Sequence, residues 1–199
     1  MAEQEMTAGN EEELDPSSVG GLNQLRDDAA RSAEAEAAEE LEKYLTFELE
    51  AEEYGVEILK VREIFGYTNV TPVPQTPDFV KGVINLRGQV IPVIDLRIKF
   101  GMAEGEITNE TCIIVVEVAL EEAAGGVVEM GIIVDRVQEV LDIPESNIDP
   151  APSFGADIKT EYIQGMGKVD DQVKILLDID EVLSEEELVS LDQIREESD

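Results

Sequence analysis

Tyr54-Gly55-Val56-Glu57-Ile58-Leu59-Lys60-Val61-Arg62-Glu63-Ile64 aligns without a gap on Met130-Gly131-Ile132-Ile133-Val134-Asp135-Arg136-Val137-Gln138-Glu139-Val140. From the glycine onward both stretches read Gly, apolar, any, apolar, any, basic, Val, polar, Glu, aliphatic. Val93-Ile94-Asp95-Leu96 has an echo in Leu176-Leu177-Asp178-Ile179, at a comparable distance beyond its own repeat. Gly, Val and Glu coinciding in one register point to an internal duplication, and so to two β lobes of one design. Each lobe is too small to be convincingly stable alone, so shared packing and a crevice between the lobes are expected.

The patterning around the repeat is that of an all-β chain. Leu45, Phe47 and Leu49 alternate with Thr46, Glu48 and Glu50, the period of a half-buried strand. Val83 to Leu86 and Val90 to Leu96 flank Arg87-Gly88, and Cys112 to Val118 and Val127 to Val134 flank Gly125-Gly126, which reads as two hairpins. The near-continuous apolar run Cys112 to Val116 suggests a strand covered on both faces, as in a small closed barrel. Pro92 has no amide hydrogen, so its strand is expected to be an edge or to carry a bulge there. Only the end reads as helix. Ser184 followed by Glu185, Glu186 and Glu187 is an N-cap with acids in the first turn, and Leu188, Leu191 and Ile194 share one face.

Residues 1–42 are of another kind, with thirteen acidic residues and two basic ones, Arg26 and Arg31. Such a segment buries too little apolar area to offset its ordering entropy. It is expected to be an acidic, mostly disordered tail, with at most transient helix over Asp27 to Lys43, leaving residues 43–199 as the folded part. Over the whole chain 47 Asp+Glu against 14 Lys+Arg give a formal charge of -33, which repels a phosphate backbone or an anionic lipid surface. Nucleic acid and direct membrane binding are therefore poor expectations, and no apolar run approaches the ~18 residues needed to span a bilayer.

Catalytic chemistry has little to work with. The chain has no His and a single Cys, which removes imidazole and any thiolate cluster. Asp178-Ile179-Asp180 begins like a calcium loop, but Leu183 stands where the glycine is required and Val189 where the closing carboxylate is required. Gly165-Met166-Gly167-Lys168 lacks phosphate-loop spacing, and Cys112 sits inside an apolar run, as inert filling does. Paired acids such as Asp170-Asp171 fall in expected turns, where nothing raises a pKa. No enzyme, no metal and no cofactor are expected. What remains is an interaction protein offering strand edges and an inter-lobe groove able to accept an amphipathic helix.

Over Tyr54 to Phe100 the residues become specific: Glu-Tyr-Gly-Val-Glu-Ile-Leu-Lys-Val-Arg-Glu-Ile from Glu53, then Pro74 through Pro77, then Phe79-Val80-Lys81-Gly82-Val83-Ile84-Asn85-Leu86-Arg87-Gly88 running on through Asp95-Leu96-Arg97. This closely resembles CheW, the coupling protein family of bacterial and archaeal chemotaxis. The likeness continues through Gly131 to Asp135, Pro150 to Phe154, Ile175 to Ile179 and the terminal helix. It implies two SH3-like five-stranded β-barrel lobes with a short C-terminal helix. It also implies a non-enzymatic cytoplasmic adaptor, recruited to receptor arrays at the inner face of the membrane, linking the cytoplasmic hairpin tip of a chemoreceptor to the regulatory domain of the histidine kinase CheA. Residue by residue, Val61, Glu63, Gly82, Arg87, Gly88, Met130, Gly131 and Val137 match the family's receptor-binding positions, and Phe154 matches a loop aromatic of the kinase or ring contact. Arg87 is expected to pin a carboxylate and so orient its turn. An adaptor of another receptor-kinase pathway, such as surface motility, and a small-molecule sensor binding in the inter-lobe groove are the alternatives.

Overall fold

In the computed structural model, which describes residues 41–119, 126–152, 160–184, 186–188 and 191, β1 (Leu41–Leu49) and β2 (Glu52–Glu57) form an antiparallel hairpin. A single 3-10 turn, Ile58–Lys60, then carries the chain away to β3 (Val61–Gly66), which pairs with β6 (Cys112–Ala119) instead of with β2. The hairpin of β4 (Val80–Leu86) and β5 (Gln89–Asp95) follows, then the one-turn helix α1 (Leu96–Lys99), β6, and β7 (Val127–Val134). At Asp135 the chain crosses back. There β8 (Arg136–Pro144) pairs with β1, and β9 (Ile148–Pro150), β10 (Ile163–Val169) and β11 (Gln172–Leu177) complete that sheet. The result is a six-stranded sheet of order β8-β1-β2-β11-β10-β9 and a five-stranded sheet of order β3-β6-β7-β5-β4.

The duplication is visible in the register. Gly55 of β2 lies opposite Leu176 of the parallel β11, and Gly131 of β7 lies opposite Val93 of the parallel β5. Each aligned repeat therefore pairs with the echo belonging to the other half of the chain, so the two β lobes are not sequence halves but exchange strands at the two crossovers. The repeated glycine is a packing requirement: a Cβ on Gly55 would stand 2.9 Å from Leu176 Cδ2, and one on Gly131 2.9 Å from Ile113 Cγ2. In both lobes the chain leaving one edge strand returns to the opposite edge. Thr71 exchanges backbone hydrogen bonds of 2.8 and 2.9 Å with Val83 of β4, and β9 pairs with β10.

Three apolar clusters fill this frame. Ile84, Ile91, Val93, Ile113, Val115 and Ile133 form the private core of the five-stranded lobe, and Tyr44, Ile143 and Leu176 that of the other. The largest cluster joins Leu45, Phe47, Tyr54 and Leu177 of one lobe to Ile94, Ile114, Met130 and Ile132 of the other, with Leu188 and Leu191 of the terminal helix packed in. Burying a side chain of this size contributes roughly 1.5–3 kcal/mol, so this shared core, more than any linker, makes the lobes interdependent.

Two expectations are corrected. β1 is not half-buried: Tyr44 and Thr46 are as fully buried as Leu45 and Phe47, because the private core of its lobe covers the second face. The Thr46 hydroxyl is accommodated at a bulge, donating to the Glu139 carbonyl at 2.8 Å and accepting from the Glu139 amide. Pro92 lies on an interior strand, not an edge, and the bulge of that hairpin falls on β4 between Val80 and Gly82. The backbone groups of Val83, opposite Pro92, are turned to Thr71, and the ladder with β7 starts only at Val93, so nothing asks Pro92 for a hydrogen. β1 also starts at Leu41, drawing Leu41 and Glu42 out of the acidic segment into pairs with Pro144 and Ile143.

The start of the terminal helix is held as its sequence suggests, while Ile194 lies outside the described residues. Ser184 N donates to Glu187 Oε2 at 2.8 Å and Glu187 N approaches Ser184 Oγ at 3.4 Å, a capping box. Glu187 also binds Lys99 at 2.7 and 2.8 Å, while Lys99 Nζ lies 4.4 Å over the Phe79 ring. Burial alone would raise Glu187, but Lys99 and the Ser184 donors outweigh it and hold the carboxyl below its usual range. Its stabilising contribution is therefore complete above the unfolded value of about 4.3 and is lost as pH falls through the lower folded value. The protection factor of the Leu188 amide, its exchange rate relative to that of the unstructured chain at the same pH, should fall on acidification below about pH 4, and Glu187→Gln should lose the part of that pH dependence due to Glu187 while starting from weaker protection at neutral pH. An identical acid profile in the variant would remove Glu187 from the latch.

Candidate partner-binding site

Three of the nominated residues meet at one place. Arg87 and Gly88 are the central residues of the β4–β5 turn, between paired Leu86 and Gln89, with φ of 54° and 93°. Both being positive gives the turn whose twist suits a two-residue hairpin. An arginine in that conformation is held there against its own preference. Asn85 Oδ1 accepts from Gly88 N at 2.9 Å, and Arg87 Nη2 reaches back to Glu63 Oε1 on β3 at 2.8 Å. Arg87 does pin a carboxylate, and the partner is another nominated residue. The Arg87 side chain nevertheless remains 79% exposed, so most of the guanidinium faces outward and the pair itself contributes only about 0–1 kcal/mol.

Val61, two residues before Glu63, begins β3, its repeat partner Val137 is the second residue of β8, and both pack half-buried against the shared core. Ile58 and Leu59 occupy the first crossover just before Val61, Leu59 almost wholly exposed. With Leu41, Glu42, Lys43 and Glu57 they line a hollow of ≈ 330 Å³. Sequence reasoning passed over Leu59 because "any" was its place in the repeat. Its signal was present as an apolar residue aligned with Asp135.

The other nominees are internal. Met130 is wholly buried in the shared core and Gly131 is sealed under Ile113 and Val93, so neither presents a surface. Gly82 takes φ +137° where the returning chain crosses β4. Phe154 lies outside the described residues. A larger inter-lobe cavity of ≈ 740 Å³ exists elsewhere, between Lys99 to Gly101 on one side and Glu161, Tyr162 and Glu181 to Ser184 on the other, and none of the nominated residues lines it. The carboxylates of the calcium-like stretch are engaged: Asp178 Oδ1 accepts from Asp180 N at 3.1 Å, and Asp180 pairs with Lys60.

Residues 43–187 match the CheW-like domain family. The chemotaxis protein CheW of Klebsiella aerogenes is 42% identical over 153 residues, spanning 77% of this chain and 88% of the relative. That of Helicobacter pylori is 35% identical over 170 residues, spanning 82% and 98%. Among solved structures, the scaffolding protein TtCheW from Thermoanaerobacter tengcongensis superposes with a TM-score of 0.64 at 35% identity, covering 74% of this chain and 97% of that one. On the match of residues 43–187, which takes in both crossovers, the β4–β5 turn and the Glu63–Arg87 pair, the chain belongs to the CheW-like family of chemotaxis scaffold proteins.

Proposed function

We propose that the chain is a non-enzymatic cytoplasmic adaptor that couples the cytoplasmic hairpin tip of a chemoreceptor to the regulatory domain of CheA within signalling arrays at the inner face of the membrane. The observation that carries this reading is the joining of Glu63 and Arg87 at one outward-facing point beside Val61, in a chain of this family. A half-buried apolar residue next to an outward-facing guanidinium suits a helical partner carrying an apolar stripe flanked by acceptors. The hollow at Ile58 and Leu59 extends that apolar surface. A pull-down with a receptor hairpin fragment and, separately, the kinase regulatory domain tests the reading. Retention of both supports it, and retention of neither sinks it.

Arg87 gives a sharper version. Arg87→Ala should fold with at most about 1 kcal/mol lost, as for an exposed ion pair, yet activate the kinase poorly in a reconstituted receptor mixture. Arg87→Lys should recover only part of the activity, because an ammonium cannot reproduce the planar fork that binds a carboxylate and a second acceptor together. Wild-type activation by both variants would leave Arg87 as a turn residue alone.

A further inference from the structure

The two crossovers are tied by charge in the same way with the polarity reversed. At the first, Lys60 pairs with Asp180, which follows β11 of the six-stranded lobe, and Asp180 also accepts from Ala119 N at the end of β6 in the five-stranded lobe, at 2.8 Å. At the second, Asp135 takes a bidentate guanidinium from Arg97 on α1, with Nε to Oδ1 at 2.7 Å, and accepts from Glu50 N in the β1–β2 turn of the other lobe, also at 2.8 Å. In the duplicated frame Asp180 occupies the place of Arg97, since Asp95 and Asp178 correspond and each accepts an amide two residues on. One position therefore carries the anion in one half and the cation in the other, and both times it reaches a crossover in a partly buried ion pair. Each carboxylate, in addition, gathers a backbone amide from the end of a hairpin strand.

From this we infer that Asp180 with Lys60, and Asp135 with Arg97, are positioning residues whose task is to fix the placement of one lobe against the other. The private core and the strand ladder of each lobe are made without them. Val61 directly follows Lys60, and Val137 follows Asp135 by two residues, so the ties also set where the half-buried valines of β3 and β8 emerge from the shared core. Their effect on partner docking rests on the adaptor reading above. The mechanical tie does not.

The test keeps the amide acceptors and removes the charge, using Asp180→Asn and Asp135→Asn singly and together. In a Cys112→Ser background, spin labels at Val127→Cys on the five-stranded lobe and Val173→Cys on the six-stranded lobe sit at exposed positions. Pulsed electron resonance should give a narrow inter-lobe distance distribution for the labelled parent chain. The distribution should broaden in each single variant and most in the double variant, while the far-ultraviolet dichroism stays that of the parent. Affinity for a receptor hairpin fragment should fall about tenfold in the double variant, the size of an ordinary coupling between sites. The single variants, each retaining one tie, keep the measurement available if the double variant does not fold. An unchanged distance distribution would overturn the ties, and a broadened one with unchanged affinity would overturn their positioning role. Failure of the parent chain to bind the fragment would sink the adaptor reading while the distance measurement still decides the ties.

Discussion

Gly82→Ala should cost about 3 kcal/mol or more of folding stability, which places it among the most damaging single substitutions in the chain. A Cβ at Gly82 would stand 2.0 Å from the Thr71 carbonyl oxygen and 2.6 Å from its carbon, both backbone atoms that no rotamer change can move aside. That carbonyl accepts from Val83 N at 2.9 Å in the bridge that returns the chain from β3 to β4. The φ of +137° adds a backbone conformation that side chains rarely tolerate. Relief would require opening the bridge, so the five-stranded lobe would lose the closure of its edge as well as local strain energy. Gly88→Ala is the control. Its φ of +93° is also positive, but nothing lies within 4 Å of the added Cβ, so only the conformational cost of about 1–2 kcal/mol applies. Denaturant titration of the three proteins should therefore rank parent, Gly88→Ala, Gly82→Ala. A Gly82→Ala midpoint equal to that of Gly88→Ala would show that the Thr71 crossing is soft.

The duplication was legible because Gly, Val and Glu recur in register, and the register proved to be physical: Gly55 and Gly131 face the echoed residues Leu176 and Val93. What the letters could not carry was which strand each repeat pairs with. The hydrogen bonds of a ladder are made by backbone atoms common to every residue, so the exchange of strands between lobes leaves no mark on composition. Burial of polar residues was hidden for a related reason. Thr46 reads as outward in the alternation of β1, yet a bulge supplies its hydroxyl with partners. Lys174 is nearly as buried as Ile91, its counterpart in the duplicated frame, because Glu53 on the neighbouring strand neutralises it. Arg87 was expected to hold a carboxylate, and does. That the carboxylate would be Glu63, on a strand that first leaves its own hairpin, follows only from the exchange.

Val61→Asp should weaken binding of a receptor hairpin fragment by roughly 2 kcal/mol or more, about thirtyfold, the loss expected when an unpaired carboxylate replaces a central apolar contact. Val61 starts β3 immediately after the exposed Leu59 and the half-buried Lys60, with one face on the shared core and the rest open. That half-burial gives the substitution two possible consequences, which thermal melting and the binding assay separate. A carboxylate at position 61 keeps a route to water, unlike one placed at wholly buried Met130, so the fold should survive with about 1–2 kcal/mol lost. The new charge would also sit beside Glu63, whose partner Arg87 can neutralise only part of the doubled anion. A helical partner offering acceptors to Arg87 would then meet repulsion as well as a lost apolar contact. Val61→Ala isolates the second effect, removing the contact without adding charge, and should fall between the parent and Val61→Asp in affinity. Binding unchanged in both variants, with both folded, would remove Val61 from the site. A Val61→Asp protein that no longer melts cooperatively, alongside a Val61→Ala protein that binds as the parent does, would assign Val61 to the shared core alone.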